Sequence, residues 1–582
     1  MTRKVDQLRP FVSLTLMSAP KGQAPDVAAA DVEEIVTRLV EDIDGVIEPL
    51  TPRLKTKVAL RGFTYSRRVQ PAWTDETIYD LQNHLVLVIS AQDHVGIHTT
   101  DPKLQDKIKG ALLSSRSTRE LASYAPIPRE RLEQAFIAEG PAKTLWLSGI
   151  HAKTALKANA KILSGDDLTY ALDVLDDQSF WWSAARCKHP RLPHVVGASA
   201  RASRVWVRKA GKLEEFETLS IGLLKHLAKD KGKETLRVLA RPAASADLTK
   251  LNQAYDLSLM PPDYGAENLG PDAVEDLVKD ADDARFEVNG QPASPNFDLE
   301  IFVRGASVHK TAVQVVEGRS AGQVALRLEA PKPTGTPAIV DPQLDRIVRT
   351  LRRGGTVNVR FDSGHAISGG RVFPTLYRRI AFDRFVGKDF PNTAIKKEKP
   401  VDMARIGSED SLFCWLQRQT DGFLMCDDGA MEKADFIHID DSADPTLTFY
   451  HIKGSHSALA TRQISVSAYE VVAAQAIKNL IWLDRASLIT GLKARVRDGS
   501  HFWRNRNPSD AKEFLKAVNT LKGDFDRRVV IVQPSLSLKK RKAYQGKRNA
   551  NDLRLDQLDV LLATADASCK SLSTKFDVYC AK

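Results

Sequence analysis

The chain has little cysteine, few aromatic residues and no long apolar run. Cys187, Cys414, Cys426, Cys569 and Cys580 are its only cysteines, and no two of them form a CxxC pair. That usage argues against a disulfide framework or a zinc site, and for reduced thiols in a cytoplasm. No stretch approaches the roughly 18 to 20 apolar residues that a membrane-crossing helix needs. The single signal-like stretch, "FVSLTLMSA", alternates polar with apolar residues and runs into the charged "PKG", so it reads as a strand. There is no GxxxxGK[ST] phosphate loop, no strand-linked GxGxxG, no HExxH helix and no GxSxG elbow, which excludes a visible motor, a dinucleotide cofactor and two common hydrolase designs. Internal repeats and long low-complexity segments are also absent.

What is present is length and an uneven charge. At 582 residues and 43% hydrophobic composition the chain can fill two or three cores. Punctuation by proline, glycine and charge suggests a mixed α/β recognition or regulatory region over 1–285, a β-rich part over 286–400 and a third part over 401–582. The middle part holds the strands "NFDLEIFVRG", "GQVALRLEA" and "GTVNVRFDSG", the loop "PKPTGTP" and a helix around "PQLDRIVRTLRR"; its end, "FPNTAIKKEKPVD", reads as a surface connection. The formal charge is +11. Residues 401–450 hold 3 Lys+Arg against 11 Asp+Glu, and residues 451–582 hold 24 against 12. An acidic knot leading into a basic field suits a metal-dependent enzyme acting on a phosphodiester: carboxylates hold a divalent cation and cations hold the backbone.

Within the acidic knot, "SEDSLFCWLQRQTDGFLMCDDGAMEKADFIHIDDSADPTLTFYHIKGSHS" reads as a helix and then three strands. The amphipathic helix "SVSAYEVVAAQAIKNLIWLD", the strand "RRVVIVQPS", a further helix and the terminal strand "KFDVYC" come after it. Asp435 stands in one apolar run, and Lys453 ends the next. Strand alternation puts Lys433, Asp435 and Ile437 on one face of their strand and His451 and Lys453 on one face of the next, and if those faces coincide the two sets meet. A carboxylate, an imidazole and an ammonium meeting at one sheet end would be costly in a plain core. They make sense around Mg²⁺ (or Mn²⁺), where the carboxylate ligates the cation and the lysine handles the attacking water and the phosphate charge. An internal Asp435–Lys453 salt bridge is the simpler alternative.

Here the chain resembles the PD-(D/E)xK nuclease superfamily, with an Asp on the second strand and (D/E)xK on the third strand of an αβββαβ core. The resemblance implies a restriction-endonuclease-like fold over 401–582, with Asp435 as metal ligand and catalytic residue and Lys453 as the catalytic lysine. His451 stands where the pattern has an acid. Either it assists directly, or Glu409, Glu432 or Glu470 supplies the carboxylate; alternation turns Glu432 away from Asp435 and favours Glu409 as the second metal ligand. Gln475 resembles the helix glutamine of some branches of this superfamily. The segment is also similar to nuclease modules of bacterial anti-phage and restriction systems. These resemblances imply a DNA nuclease in defence, with a partner such as a helicase or ATPase. The alternatives are a non-catalytic nucleic-acid-binding scaffold with a decayed nuclease fold, or an RNase.

Two basic segments could hold nucleic acid: "KKRKAYQGKR", with Lys539, Lys540, Arg541, Lys542, Lys547 and Arg548 around Tyr544, and "ARVRDGSHFWRNRN", with Arg504 and Arg506 beside Phe502 and Trp503. Neither contains a base-reading motif. In the first region, His151 and the pair Trp181–Trp182 are candidates for phosphate contact and base stacking, each set against an ordinary structural role.

Overall fold

The computed structural model describes residues 7–582 apart from 42–45, 114–120, 152–155, 230–235, 261–277, 330–341, 375–378, 497–500, 522–524 and a few shorter gaps. The loop "PKPTGTP" and Arg548 lie outside the described residues. The described residues are mixed α/β and form four sheets. It divides into two compact units, one of residues 1–172 and 177–378, the other of residues 379–582 with 173–176. Among the described residues no helix is long and apolar enough to cross a membrane.

In the first unit a 12-stranded sheet carries helices on both faces. "FVSLTLMS" is one of its strands, Phe11–Ser18, as the alternation implied. Helices Pro25–Glu41 and Pro102–Leu113 pack on one face through Val32, Val36, Leu104 and Ile108. On the other face lie Arg129–Phe136 and Leu213–Lys229, with Leu132, Phe136, Phe216 and Leu224 in the core. Two four-stranded antiparallel sheets come next, built on Phe297–Val303, Val324–Leu328 and Val357–Phe361, and the helix Pro342–Arg353 shares their core through Ile347 and Leu351.

The second unit positions the candidate site. Its elements, in order, are β1 (Phe385–Lys388), α1 (Leu412–Gln419), β2 (Phe423–Cys426), β3 (Phe436–Ile439), β4 (Thr446–Ile452), α2 (Ser467–Lys478), α3 (Arg485–Arg495), β5 (His501–Arg504), β6 (Asn507–Ser509), α4 (Ala511–Thr520), β7 (Asp526–Ser537), α5 (Leu538–Tyr544), α6 (Ala550–Lys570) and β8 (Thr574–Ala581). The eight strands form one sheet in the order β1-β8-β7-β4-β3-β2-β5-β6. From β1 to β4 neighbours run parallel; from β4 to β6 they are antiparallel.

β4 is central and apolar on both sides, as a strand covered on two faces must be. Leu447 and Phe449 pack with Ile437, Val529 and Ile531 beneath Val472, Ala473 and Leu558 of α2 and α6. Tyr450 and Ile452 face the other way, with Phe436, Val530 and Val532, onto Leu412, Phe413 and Leu416 of α1. Ser411 caps α1 by accepting from the Cys414 N–H.

The expected order of helix, three strands, helix and strand is present, with α3, the β5–β6 hairpin and α4 inserted before β7. "HFWRNRN" is therefore half of a hairpin rather than an open basic loop. Asn505 and Arg506 both hold positive φ (50° and 68°), which is the two-residue turn geometry that matches strand twist. The sequence offers little warning of it, because neither residue is glycine. "FPNTAIKKEKPVD" has no regular structure, but it is more than a connection: Lys397 and Glu398 carbonyls accept from the Leu412 and Phe413 N–H groups at the start of α1.

Candidate active site

Between β2 and β3 the chain turns through Gly429 and Met431, with φ of 131° and 62°. Asp427 pins this turn. It is buried, accepts from the Lys433 N–H at 2.8 Å and pairs with Arg495 of α3, while its own N–H donates to the Asp435 carbonyl at 3.0 Å. Asp435 then sits just before β3, only 5% exposed, and its Oδ2 accepts from the Ile452 N–H of β4 at 2.7 Å.

Asp428, Glu432 and Asp435 each present a carboxylate oxygen, and these oxygens lie within 4.8 Å of one another. Burial pushes the Asp435 carboxyl up to about 8; the Ile452 N–H opposes the rise, and the charges of Glu432, Asp428 and Glu398 add to it. A further acid and a lysine come from the segment before α1. Glu398 lies 3.0 Å from Lys453 Nζ and accepts from the Gly454 N–H at 3.3 Å. Lys399 Nζ lies 2.5 Å from Asp428 Oδ1. Burial works against the Lys399 ammonium, but the Asp428 hydrogen bond and the charges of Asp428, Asp435 and Glu398 outweigh it and hold its pKa up. From α2, Gln475 Nε2 donates to Glu432 Oε1 at 3.2 Å.

Asp435, Lys453 and Gln475 thus converge on one locality, but Lys453 pairs with Glu398 rather than with Asp435. The choice between Glu409 and Glu432 is reversed. Glu409 is held by Lys397 at 2.7 Å and by the Val401 N–H at 3.1 Å, outside the carboxylate cluster. Alternation misjudged Glu432 because β3 starts only at Phe436, so the turning backbone before it obeys no two-residue period. Glu470 is an exposed residue of α2.

His451 is fully buried; desolvation, with the Lys478 charge, pushes its imidazole down to about 3. Its Nε2 has no hydrogen-bond partner among the described residues. It is a neutral packing residue of β4 rather than a member of the cluster. The acids of the knot also divide: Asp440 and Asp441 lie beyond the other end of β3, where Asp440 accepts from Ser442 and Asp441 pairs with Arg504. Sequence reasoning missed Glu398 and Lys399, whose setting "KKEKP" carries no pattern that distinguishes it from a solvated charged loop.

Much of the basic field is engaged inside the fold. Arg541 makes a two-pronged pair with Asp559, at 2.6 and 2.8 Å, and donates to the Phe382 carbonyl. Lys540 donates to the Arg462 carbonyl, Arg506 pairs with Asp421, and Arg504 lies over Phe423, though both arginines stay exposed. Lys539, Lys542 and Lys547 are exposed. In the first unit Trp181 donates to Ser368 and Trp182 to Glu133, both rings buried, so neither is a stacking platform. His151 is buried edge-on against Phe180.

The donor set is all oxygen and strongly acidic, which fits a hard divalent cation and no thiophilic one. The strained protonation of Asp435 is what a cation among these carboxylates would relieve. Comparison of the chain with protein-family models, with curated proteins and with solved structures finds no match.

Proposed function

We propose that the second unit is a Mg²⁺- or Mn²⁺-dependent nuclease of the PD-(D/E)xK kind that hydrolyses phosphodiester bonds in DNA, and that the chain serves bacterial defence against phage or foreign DNA. One observation carries the reading: the Asp428, Glu432 and Asp435 carboxylates gather within 4.8 Å at the head of the β3–β4 pair, from which Lys453 also emerges. The order of α1, antiparallel β2–β3–β4, α2 and a β7 parallel to β4 supports a restriction-endonuclease-like fold. The defence role rests on resemblance alone, since a fold does not fix a biological task.

In this reading Asp435, with Asp428 and Glu432, holds the metal. When bound, the metal supplies Lewis-acid stabilisation of the phosphate oxygens and makes its coordinated water more acidic. The chain's own groups do the rest. Lys453, steered by Glu398, orients the attacking water and offsets negative charge on the phosphate. Gln475 fixes the Glu432 carboxylate in one orientation. The exposed Lys539, Lys542 and Lys547 neutralise backbone phosphates. Residues 1–378 serve as the recognition or regulatory region, and a separate helicase or ATPase supplies any motor, in the cytoplasm.

The test is cleavage of supercoiled plasmid, linear duplex, single-stranded DNA and RNA with Mg²⁺, Mn²⁺ or EDTA. Cutting that needs metal and is lost in Asp435→Ala and Lys453→Ala, with folding intact, is the expected result. Unchanged cutting by both variants would refute the site, and cutting of RNA alone would make the enzyme an RNase. A second reading, a nucleic-acid-binding scaffold, is favoured by His451, which leaves β4 without an acid. A scaffold binds DNA equally well in EDTA and cuts nothing.

A further inference from the structure

A second polar recess lies in the same unit, on the α1 face of the sheet. It is a crevice of about 410 Å³ between the end of β1, the C-terminal half of α1 and the strands carrying Tyr450 and Tyr579. Small-molecule sites begin at about this size. Its charge is unbalanced. Lys388 holds its ammonium 4.5 Å from the centre of the Tyr579 ring, and among the described residues no carboxylate pairs with it. The other cations are matched: Lys582 pairs with Asp389, and Arg528, 5.8 Å from the same ring, pairs with Asp577. Lys388 is thus the cation without a carboxylate partner among the described side chains that line the crevice.

Its hydrogen-bonding groups are directed to the same end. The Tyr450 and Tyr579 rings lie 6.3 Å apart, centre to centre, and both residues are more than nine-tenths buried. Each phenolic O–H is a donor that a ligand oxygen can use. Burial, with Tyr579 beside it, pushes the Tyr450 phenol above its ordinary range, so it stays a neutral donor. Gln419 adds an amide at the rim. An ammonium as point charge, a phenolic O–H and an amide N–H are donors for the oxygens of a phosphate, and the volume leaves room for the body of a small ester.

We infer that this crevice binds a small phosphate ester of about mononucleotide size, with Lys388 as its anionic anchor. The inference is independent of the nuclease reading, because β4 sends Tyr450 to the α1 face and the carboxylate cluster stands on loops at the strand ends. Site and cluster still share elements. Asp389 and Pro391 line the crevice, and the same segment continues to Glu398 and Lys399.

The test is isothermal titration of the full chain in EDTA with 5′-AMP, inorganic phosphate and acetate, using wild type, Lys388→Gln, Tyr579→Phe and Asp435→Asn. Lys388 is a partly exposed side chain at a strand end, and thermal melting checks that each variant folds. Saturable binding of AMP, weakened at least ten-fold by Lys388→Gln, weakened also by Tyr579→Phe and untouched by Asp435→Asn, is the expected result. Equal affinity for phosphate and AMP would identify the free anion as ligand, and tighter binding of AMP would identify the ester. No saturable binding of AMP or phosphate at millimolar concentration would overturn the inference, as would binding that Lys388→Gln leaves intact or that Asp435→Asn abolishes.

Discussion

Replacing Asp435 by asparagine separates its charge from its hydrogen bond, since the amide oxygen still accepts from the Ile452 N–H. The Asp435 carboxyl is pushed from 3.8 up to about 8 by burial and by the carboxylates around it. At pH 7 only about a tenth of it is ionised, so a metal ion that requires the carboxylate releases about 0.9 proton on binding and gains affinity roughly ten-fold per pH unit up to pH 8. The metal-free protein behaves in the opposite sense. Because the folded value lies above the unfolded one, the group's contribution to stability is complete below about pH 4 and is lost as pH rises through about 8. A rise from 3.8 to about 8 corresponds to a loss on the order of 5 kcal/mol across that window. Urea unfolding in EDTA at pH 5, 7 and 9 should therefore show Asp435→Asn gaining on wild type as pH rises. Titration of Mn²⁺ in two buffers of different ionisation enthalpy counts the proton. Equal pH slopes for the two proteins, or metal binding at pH 7 without proton release, would refute the assignment of Asp435.

Lys399→Met removes a cation that already lies on a candidate ligand. The pair with Asp428 is partly exposed and worth about 1 kcal/mol or less, so Mn²⁺ affinity should rise by up to about five-fold in titration calorimetry, and an unchanged or weaker affinity would show that Lys399 does not compete with the metal. Arg495→Ala strips the buried Asp427 of the nearer of its two cationic partners, leaving Lys433 at 3.9 Å, and should cost about 2 kcal/mol in urea unfolding, with weakened metal binding at the loop that Asp427 pins. His451→Leu replaces a neutral, unpartnered imidazole by an apolar group of similar size; cleavage should stay within about two-fold of wild type and stability should not fall, whereas a large loss of activity would restore His451 to the site.

What could be read in advance is what obeys a period. β4, buried on both faces, is rich in β-branched and aromatic residues, and α2 obeys the 3.6-residue pattern, so Lys453 at the end of one and Gln475 on the other were legible by position. The unit's first strand, Phe385–Lys388, escaped notice because four residues at a sheet edge leave no alternation to detect. The two basic segments misled in a different way. Composition reports that cations are present, but Arg541 is consumed by Asp559 on α6, a partner 18 residues away that nothing in the local sequence announces.

Position 451, where the proposed PD-(D/E)xK pattern would place an acid, is the instructive case. A carboxylate at position 451 would lie in the core beneath α2, where even an imidazole is driven to its neutral form. Glu398 reaches Lys453 from a segment whose backbone is tied to the first turn of α1 through the Lys397 and Glu398 carbonyls. The lysine thus keeps a carboxylate partner while β4 keeps an apolar interior. This contact leaves no trace in the spacing between Asp435 and Lys453, because it is made by a loop more than 30 residues upstream. Glu398→Gln should therefore impair metal-dependent cleavage while leaving folding intact, and restoring a carboxylate by His451→Glu should fail to rescue it; rescue would mean that position 451 still opens onto the site and that the acid had simply been lost from β4.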